Sequence, residues 1–217
     1  MLYFIFIIGA IFGSFYGVVG TRLPEGKSIV KPRSHCEKCG HILKWYENIP
    51  ILSYIFLGGL CKKCKNPIGF VYFLTELLSG CLFALCYKIY GINYEFFIAV
   101  ILSSLVIIIF VSDSKYMIIN DSPLIVSAIL IFIIKWLDTG IVSALMSLVY
   151  GLIIFGVAYL LMLFGSLAFK QEALGGGDIK LSFVAGIVLG VKLGILYIVL
   201  ASFLAFPYAV YVTLKNK

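Results

Sequence analysis

Long apolar runs without charge dominate this chain and restrict what it can fold into. Residues 1–21, 96–112 and 139–169 carry no charge. Residues 68–87 and 123–137 carry one charge each, Glu76 in the first run and Lys135 in the second. A membrane-spanning helix needs about 20 mostly apolar residues. The chain is 12% charged, whereas soluble domains average about 25%. These runs predict an all-α, polytopic transmembrane helical bundle and exclude soluble, nucleic-acid-binding and disordered classes.

The last apolar stretch and one polar segment complete the predicted organisation. Residues 179–214 are interrupted near Gly190, which predicts a short sixth span and a seventh, about seven in all. Residues 22–67 are polar, and we expect a small domain there between the first span, 1–21, and a membrane core, 68–217. The first run has no preceding basic residue and no small-residue cleavage site after it, so we expect it to be retained.

The basic residues predict the orientation of the chain. If the segment 22–67 is cytoplasmic, 14 of the 17 Lys and Arg residues lie on that side, and only Lys88, Lys135 and Lys192 lie opposite. Lys and Arg are enriched in the cytoplasmic loops of membrane proteins. The net charge of +7 therefore reflects insertion into a cytoplasmic (inner) membrane, with the bilayer as partner, and predicts no nucleic-acid partner.

Four of the six cysteines form two CxxC pairs in the polar segment. Cys36 and Cys39 make the first pair, Cys61 and Cys64 the second, with 21 residues between the pairs. Two such pairs supply four thiolates, the tetrahedral ligand set of structural zinc. A domain of about 45 residues has too small a core to fold without such a staple. Structural Zn²⁺ is the main interpretation, and a redox or iron–sulfur role is the alternative.

Other metal-binding or acidic side chains have competing interpretations. His35 and His41 flank the first pair and could replace a thiolate, but four cysteines already fill a zinc shell, so we expect surface histidines. Cys81 and Cys86 lie inside the second predicted span and are expected to pack as small residues. Glu76 lies in that same span and is a secondary functional candidate, the alternative being a polar partner within the bundle.

Two aspartates lie at predicted helix ends on the cytoplasmic side. Asp113 ends the third span, and Asp178 follows Gly175, Gly176 and Gly177 at the start of the sixth. Glycines allow a neighbouring helix or a substrate strand to approach the backbone closely. Two adjacent carboxylates share a proton, so that one can activate water while the other polarises a peptide carbonyl. Helix capping is the alternative for Asp178, and spacing alone does not establish that the pair meets.

These motifs together resemble the type IV prepilin peptidases, GxGD-type membrane aspartyl proteases that combine leader peptidase and N-methyltransferase activities. Asp113 takes the position of the family's first catalytic aspartate, with Asn120 where proline is usual. Gly175 to Asp178 match the Gly-x-Gly-Asp motif of the second. The resemblance runs over about residues 13–181 and is also carried by residues 13–15, 22–24, 32–39, 48–54, 61–64 and 76–78.

The resemblance implies a function and its partners. Asp113 and Asp178 would be catalytic, with residues 175–177 as an active-site loop, cleaving prepilin or pseudopilin-like precursors at the cytoplasmic membrane face. The zinc domain would hold the substrate leader or support methylation. S-adenosylmethionine would be the methyl donor for N-methylation of the new N-terminus, although no glycine-rich nucleotide fingerprint is present in the sequence.

Two other functions remain open at this point. One is a methyltransferase that acts without significant proteolysis. The other is a metal or ion transporter with the cysteine loop as a sensor. A transport path needs acids near the middle of the membrane, and only Glu76 is expected there, so the sequence favours the peptidase.

Overall fold

The computed structural model describes residues 1–169 and 175–215 and is helical, as expected. Lys170 and Lys217, which the orientation argument counts, lie outside the described residues. The helices are α1 (Leu2–Arg22), α2 (Leu52–Phe56), α3 (Phe70–Tyr90), α4 (Tyr94–Tyr116), α5 (Asp121–Thr139), α6 (Ile141–Phe169) and α7 (Gly176–Lys215).

Six of these helices, all except α2, are long and apolar enough to cross a membrane. Together they confirm the predicted all-α, multi-pass membrane protein. The chain divides into two compact units, residues 1–123 and 124–217. The predicted division into residues 1–21, 22–67 and 68–217 is drawn on other grounds and stays a prediction.

In the first unit, α1 packs closely against α3 and α4. A Cβ atom added at Gly13 would lie 2.7 Å from the Cα of Glu76, so only glycine permits this backbone separation. Small residues at such interfaces are how membrane helices approach one another without a hydrophobic driving force. One turn further along α1, the hydroxyl groups of Tyr16 and Ser104 lie 2.6 Å apart and join α1 to α4.

The ends of these helices place Asp113 relative to the polar segment. Helix α1 ends at Arg22, where the polar segment begins, and α4 ends at Tyr116. The Tyr116 hydroxyl donates a hydrogen bond to the Glu25 carboxylate, directly after α1. The last turn of α4, which carries Asp113, therefore lies at the same end of the first unit as the polar segment.

In the second unit, α6 packs against α7 and the chain reverses inside α7. Gly190 has φ 70° and ψ −174°, a conformation open only to glycine. Ile179 and Ile198 pack in one cluster with Ile154, yet 19 residues of straight helix would separate them by about 28 Å. Helix α7 is therefore two arms that fold back on each other, in agreement with the predicted break near Gly190.

The reversal also explains the difference between six long helices and about seven predicted spans. The first arm, residues 176–189, is about 21 Å long, which is shorter than the roughly 30 Å of a bilayer core. At the turn, the Lys135 ammonium group donates a 2.6 Å hydrogen bond to the carbonyl of Ile187. The helical partner of that carbonyl would be the N–H of Val191, beyond Gly190, so Lys135 satisfies an acceptor that the reversal leaves open.

Candidate metal centre and candidate active-site residues

The two CxxC pairs fold into turns with the same backbone pattern. The Cys36 N–H donates a hydrogen bond to the His41 carbonyl, and the Cys36 carbonyl accepts one from the Gly40 N–H, each at 2.9 Å. The second turn has the same two hydrogen bonds. The Cys61 N–H donates to the Asn66 carbonyl at 2.8 Å, and the Lys65 N–H donates to the Cys61 carbonyl at 2.9 Å. Gly40 and Lys65 both have positive φ, 67° and 56°. Each turn thus points two thiol groups in one direction.

The two turns bring the four sulfur atoms together. The Sγ atoms of Cys36 and Cys64 lie 3.7 Å apart, and those of Cys39 and Cys61 lie 4.0 Å apart. All four lie within 4.8 Å of one another. A tetrahedral zinc site with Zn–S bonds of 2.3 Å places its sulfurs about 3.8 Å apart. The cluster therefore has both the donor set and the spacing to hold a metal ion.

Backbone N–H groups act on the ionisation of these thiols. The Asn66 N–H faces Cys64 and lowers its pKa to about 6. The N–H groups of Cys39 and Lys38 likewise lower the pKa of Cys36. Although the His41 N–H favours the Cys39 thiolate, burial and the neighbouring thiols raise the pKa of Cys39 to about 11. The surroundings stabilise some thiolates, and like charges oppose ionisation of all four together.

The two histidines near the first turn interact with other groups. The His41 Nε2 lies 3.0 Å from the Glu47 carboxylate, and the His35 Nδ1 lies 2.9 Å from the Arg33 carbonyl oxygen. The Lys44 N–H also donates to Glu47 and, together with His41, holds the pKa of this buried carboxyl below its usual range. A carboxyl group whose pKa is lower in the folded chain stabilises the fold at pH values above its pKa in the unfolded chain. This contribution is lost as the pH falls through the pKa of the folded chain.

Glu76 connects the membrane helices to the polar segment. Its side chain is buried, and its carboxylate accepts a 2.7 Å hydrogen bond from the Ile51 N–H, 25 residues earlier in the chain. The Ser14 side chain also interacts with this carboxylate. Ile51 has φ 64°, an unusual value for a β-branched residue, and starts α2. Glu76 therefore holds a strained turn of the polar segment against α3.

This contact predicts different results for two substitutions of Glu76. Glu76→Ala removes the acceptor and leaves the Ile51 N–H without its partner, so we expect amide exchange at Ile51 to become roughly 5- to 100-fold faster. Glu76→Gln keeps a side-chain oxygen and is expected to preserve most of the protection. Hydrogen exchange with mass spectrometry measures both.

The Cys36 amide is the internal control, because its partner is the His41 carbonyl and Glu76 is not involved. Its exchange should be the same in both variants. Equal exchange of Ile51 in the alanine and glutamine variants would show that the hydrogen bond does not hold this turn.

Asp113 lies in the last turn of α4 with its side chain exposed. Its carbonyl accepts a 2.9 Å hydrogen bond from the N–H of Met117, which adopts a left-handed conformation and ends the helix. The Tyr116–Glu25 hydrogen bond fixes this turn beside the end of α1. The carboxylate is therefore accessible to a chain segment lying at this end of the first unit.

Asp178 lies in the first turn of α7, also with its side chain exposed. Its N–H donates a 3.1 Å hydrogen bond to the Gly175 carbonyl. A Cβ at Gly175 would lie 3.2 Å from the Asp178 Oδ2, so a side chain there would press on this carboxylate, while at Gly176 no atom lies within 4 Å. Asp113 belongs to the first unit and Asp178 to the second, and their pairing stays a prediction.

Sequence reasoning missed two residues that organise the polar segment, one through its side chain and one through its backbone. Glu47 is 5% exposed and fixes the turn after the first CxxC pair through Lys44 and His41. Ile51 binds Glu76 through its backbone, which leaves no trace in residue type. The only signal in the sequence was that Glu47 is one of the few acids in the basic polar segment, which is weak evidence for a structural role.

Comparison with known proteins identifies relatives over almost the whole chain. Residues 7–90 match the bacterial peptidase A24 N-terminal domain, and residues 100–210 match the type IV leader peptidase family. A prepilin leader peptidase/N-methyltransferase of Bacillus subtilis (strain 168) is 42% identical over 89% of this chain and 75% of its own length.

Two further relatives carry the same name. The protein of Myxococcus xanthus (strain DK1622) is 39% identical over 81% of this chain and 52% of its own length. That of Vibrio cholerae serotype O1 (strain ATCC 39315 / El Tor Inaba N16961) is 32% identical over 92% of this chain and 82% of its own length. No solved structure matches this chain. Two family matches that together cover both predicted aspartates and the cysteine cluster, with relatives of this identity, mean that the chain belongs to the type IV leader peptidase family.

Proposed function

We propose that this protein is a membrane aspartyl endopeptidase that removes the leader peptide from prepilin-like precursors, with Asp113 and Asp178 as the catalytic pair. The observation that carries the proposal is the family match over residues 100–210, which includes both aspartates in the predicted motif positions. The name prepilin leader peptidase/N-methyltransferase, borne by relatives up to 42% identical, supports the same activity.

The chemistry needs two carboxylates that share one proton. The ionised carboxylate takes a proton from water as the oxygen attacks the peptide carbonyl, and the protonated carboxyl donates to the carbonyl oxygen. The carbon–nitrogen bond then breaks, and the leaving amine receives a proton from the pair. Because coupled groups titrate jointly, neither Asp113 nor Asp178 is assigned as the base. Their exposure at helix ends suits a substrate whose own apolar helix brings the cleavage point to the membrane edge.

A second activity, N-methylation of the new N-terminus, is supported by the relatives' name alone. S-adenosylmethionine would supply the methyl group. No described residue is assigned to its binding, so the mechanism above depends on the aspartates only.

The four cysteines are proposed to hold a structural zinc ion. The 3.7 Å and 4.0 Å sulfur separations and the paired turns support this ion over a disulfide. Zinc would supply no reaction step here and would fix the polar segment, which is too small to fold by its core alone.

We also propose that the polar segment and both aspartates face the cytoplasm from the inner membrane. The distribution of 14 of the 17 basic residues on one side supports this orientation. The location of Asp113 at the polar end of the first unit agrees with it.

Cleavage of a prepilin-like precursor by the purified protein in lipid vesicles tests the proposal. We expect a shorter product whose new N-terminus lies at the leader junction, and far less of this product from the Asp113→Asn, Asp178→Asn double variant in the same time. Mass spectrometry with and without S-adenosylmethionine separates cleavage from methylation. A folded wild-type protein that methylates but never cuts would contradict the peptidase assignment.

A further inference from the structure

A cleft of about 920 Å³ lies between α1 and the polar segment, all within the first unit. Its floor is the outer face of α1, including Ile11 and Phe15, which are 55% and 47% exposed. Phe15 lies seven residues before the end of α1, about 10 Å into the span. The floor of the cleft therefore continues the surface that α1 presents to lipid chains.

The mouth of the cleft is basic. Arg22, Arg33 and Lys44 line it, and none of the described lining residues is acidic. Arg22 donates hydrogen bonds to the carbonyls of Ser28 and Pro32, at 3.1 and 2.8 Å, and so fixes the wall of the cleft. Arg33 and Lys44 are exposed and remain available for an anion. An apolar floor below a cationic mouth has the polarity of an acidic phospholipid.

Trp45 lies beside this mouth and is 80% exposed although it belongs to the polar segment. Tryptophan concentrates at membrane–water interfaces, where its ring is apolar and its N–H can bond to headgroups. Ile42 and Val30, which are 58% and 74% exposed, extend the same apolar rim. These side chains are explained if the rim lies in the headgroup region of the bilayer.

We propose that this cleft is a binding site for an anionic phospholipid of the surrounding bilayer. The phosphate lies against Arg33 and Lys44, and an acyl chain follows Ile11 and Phe15 along α1. S-adenosylmethionine, the soluble ligand that the proposed function would bring to the protein, is disfavoured by charge. Its sulfonium cation is repelled by the three cations of the cleft, and the described lining offers no carboxylate.

Fluorescence of Trp45 in vesicles tests the site without any assay of cleavage. The chain has two tryptophans, so Trp136→Phe makes Trp45 the single reporter. This variant is reconstituted into phosphatidylcholine vesicles that contain either brominated phosphatidylglycerol or brominated phosphatidylcholine at one fixed mole fraction. We expect stronger quenching by phosphatidylglycerol, with an apparent preference of at least about fivefold, the factor expected from one surface cation.

Charge variants in the same background distinguish the cleft from the basic segment as a whole. Arg33→Gln with Lys44→Gln should abolish the preference, and Arg33→Lys with Lys44→Arg should keep it. The matched control, Lys38→Gln with Lys63→Gln, removes two exposed charges of the polar segment that do not line the cleft. Equal quenching by both lipids, or an equal loss in the control pair, would overturn the site.

Discussion

Asp113→Asn and Asp178→Asn are each expected to reduce the kcat of leader cleavage on the order of 10²- to 10⁴-fold, because each removes one half of the proton-sharing pair. Residues that act as a unit are strongly non-additive. The double variant should therefore be no less active than either single variant. Both side chains are exposed at helix ends, so we expect unchanged helical content and thermal unfolding.

Asp138→Asn is the matched control for this prediction. Asp138 is also an exposed aspartate near a helix end, in the last turn of α5, and no role is assigned to it. Its variant should cleave like the wild-type protein. Wild-type cleavage by the Asp113 or Asp178 variant would remove that residue from the catalytic pair, and additive losses in the double variant would contradict joint action.

The membrane helices could be predicted almost completely from the sequence. A span needs only length and apolarity, and helix α4, Tyr94–Tyr116, extends the predicted run 96–112 by a few residues at each end. The break near Gly190 was also predictable, because this glycine and Lys192, two residues later, interrupt the apolar run. Its geometry was not, since the reversal depends on α6 packing against both arms and on Lys135 from α5.

The cysteine cluster was predictable for a different reason. Each CxxC pair closes its own turn, so the two thiol directions are set locally, and only the meeting of two turns requires the fold. The Glu76–Ile51 contact joins a side chain to a backbone N–H 25 residues away and depends on the turn that gives Ile51 its positive φ. The pairing of Asp113 with Asp178 depends on the arrangement of two units, which residue type and spacing do not encode.

Cys61→Ser is expected to eliminate the bound zinc and to unfold the polar segment while the membrane helices persist. Cys61 is 1% exposed, and its sulfur completes the four-atom cluster. Structural zinc contributes roughly 10–16 kcal/mol to small domains, which exceeds the stability that a core of this size provides. Elemental analysis should find about one zinc per wild-type chain and far less in the variant. Limited proteolysis should then cut within residues 22–67.

Cys81→Ser is the matched control, because Cys81 is an exposed cysteine of α3 outside the cluster. This variant should keep its zinc and resist the protease like the wild-type protein. The outcome separates the competing interpretations of the four thiols. Iron with visible absorbance would identify an iron–sulfur centre, and a metal-free protein with four titratable thiols would leave the cluster without a structural ion. Zinc retained by Cys61→Ser would mean that His41 or another group can replace a sulfur, despite its contact with Glu47.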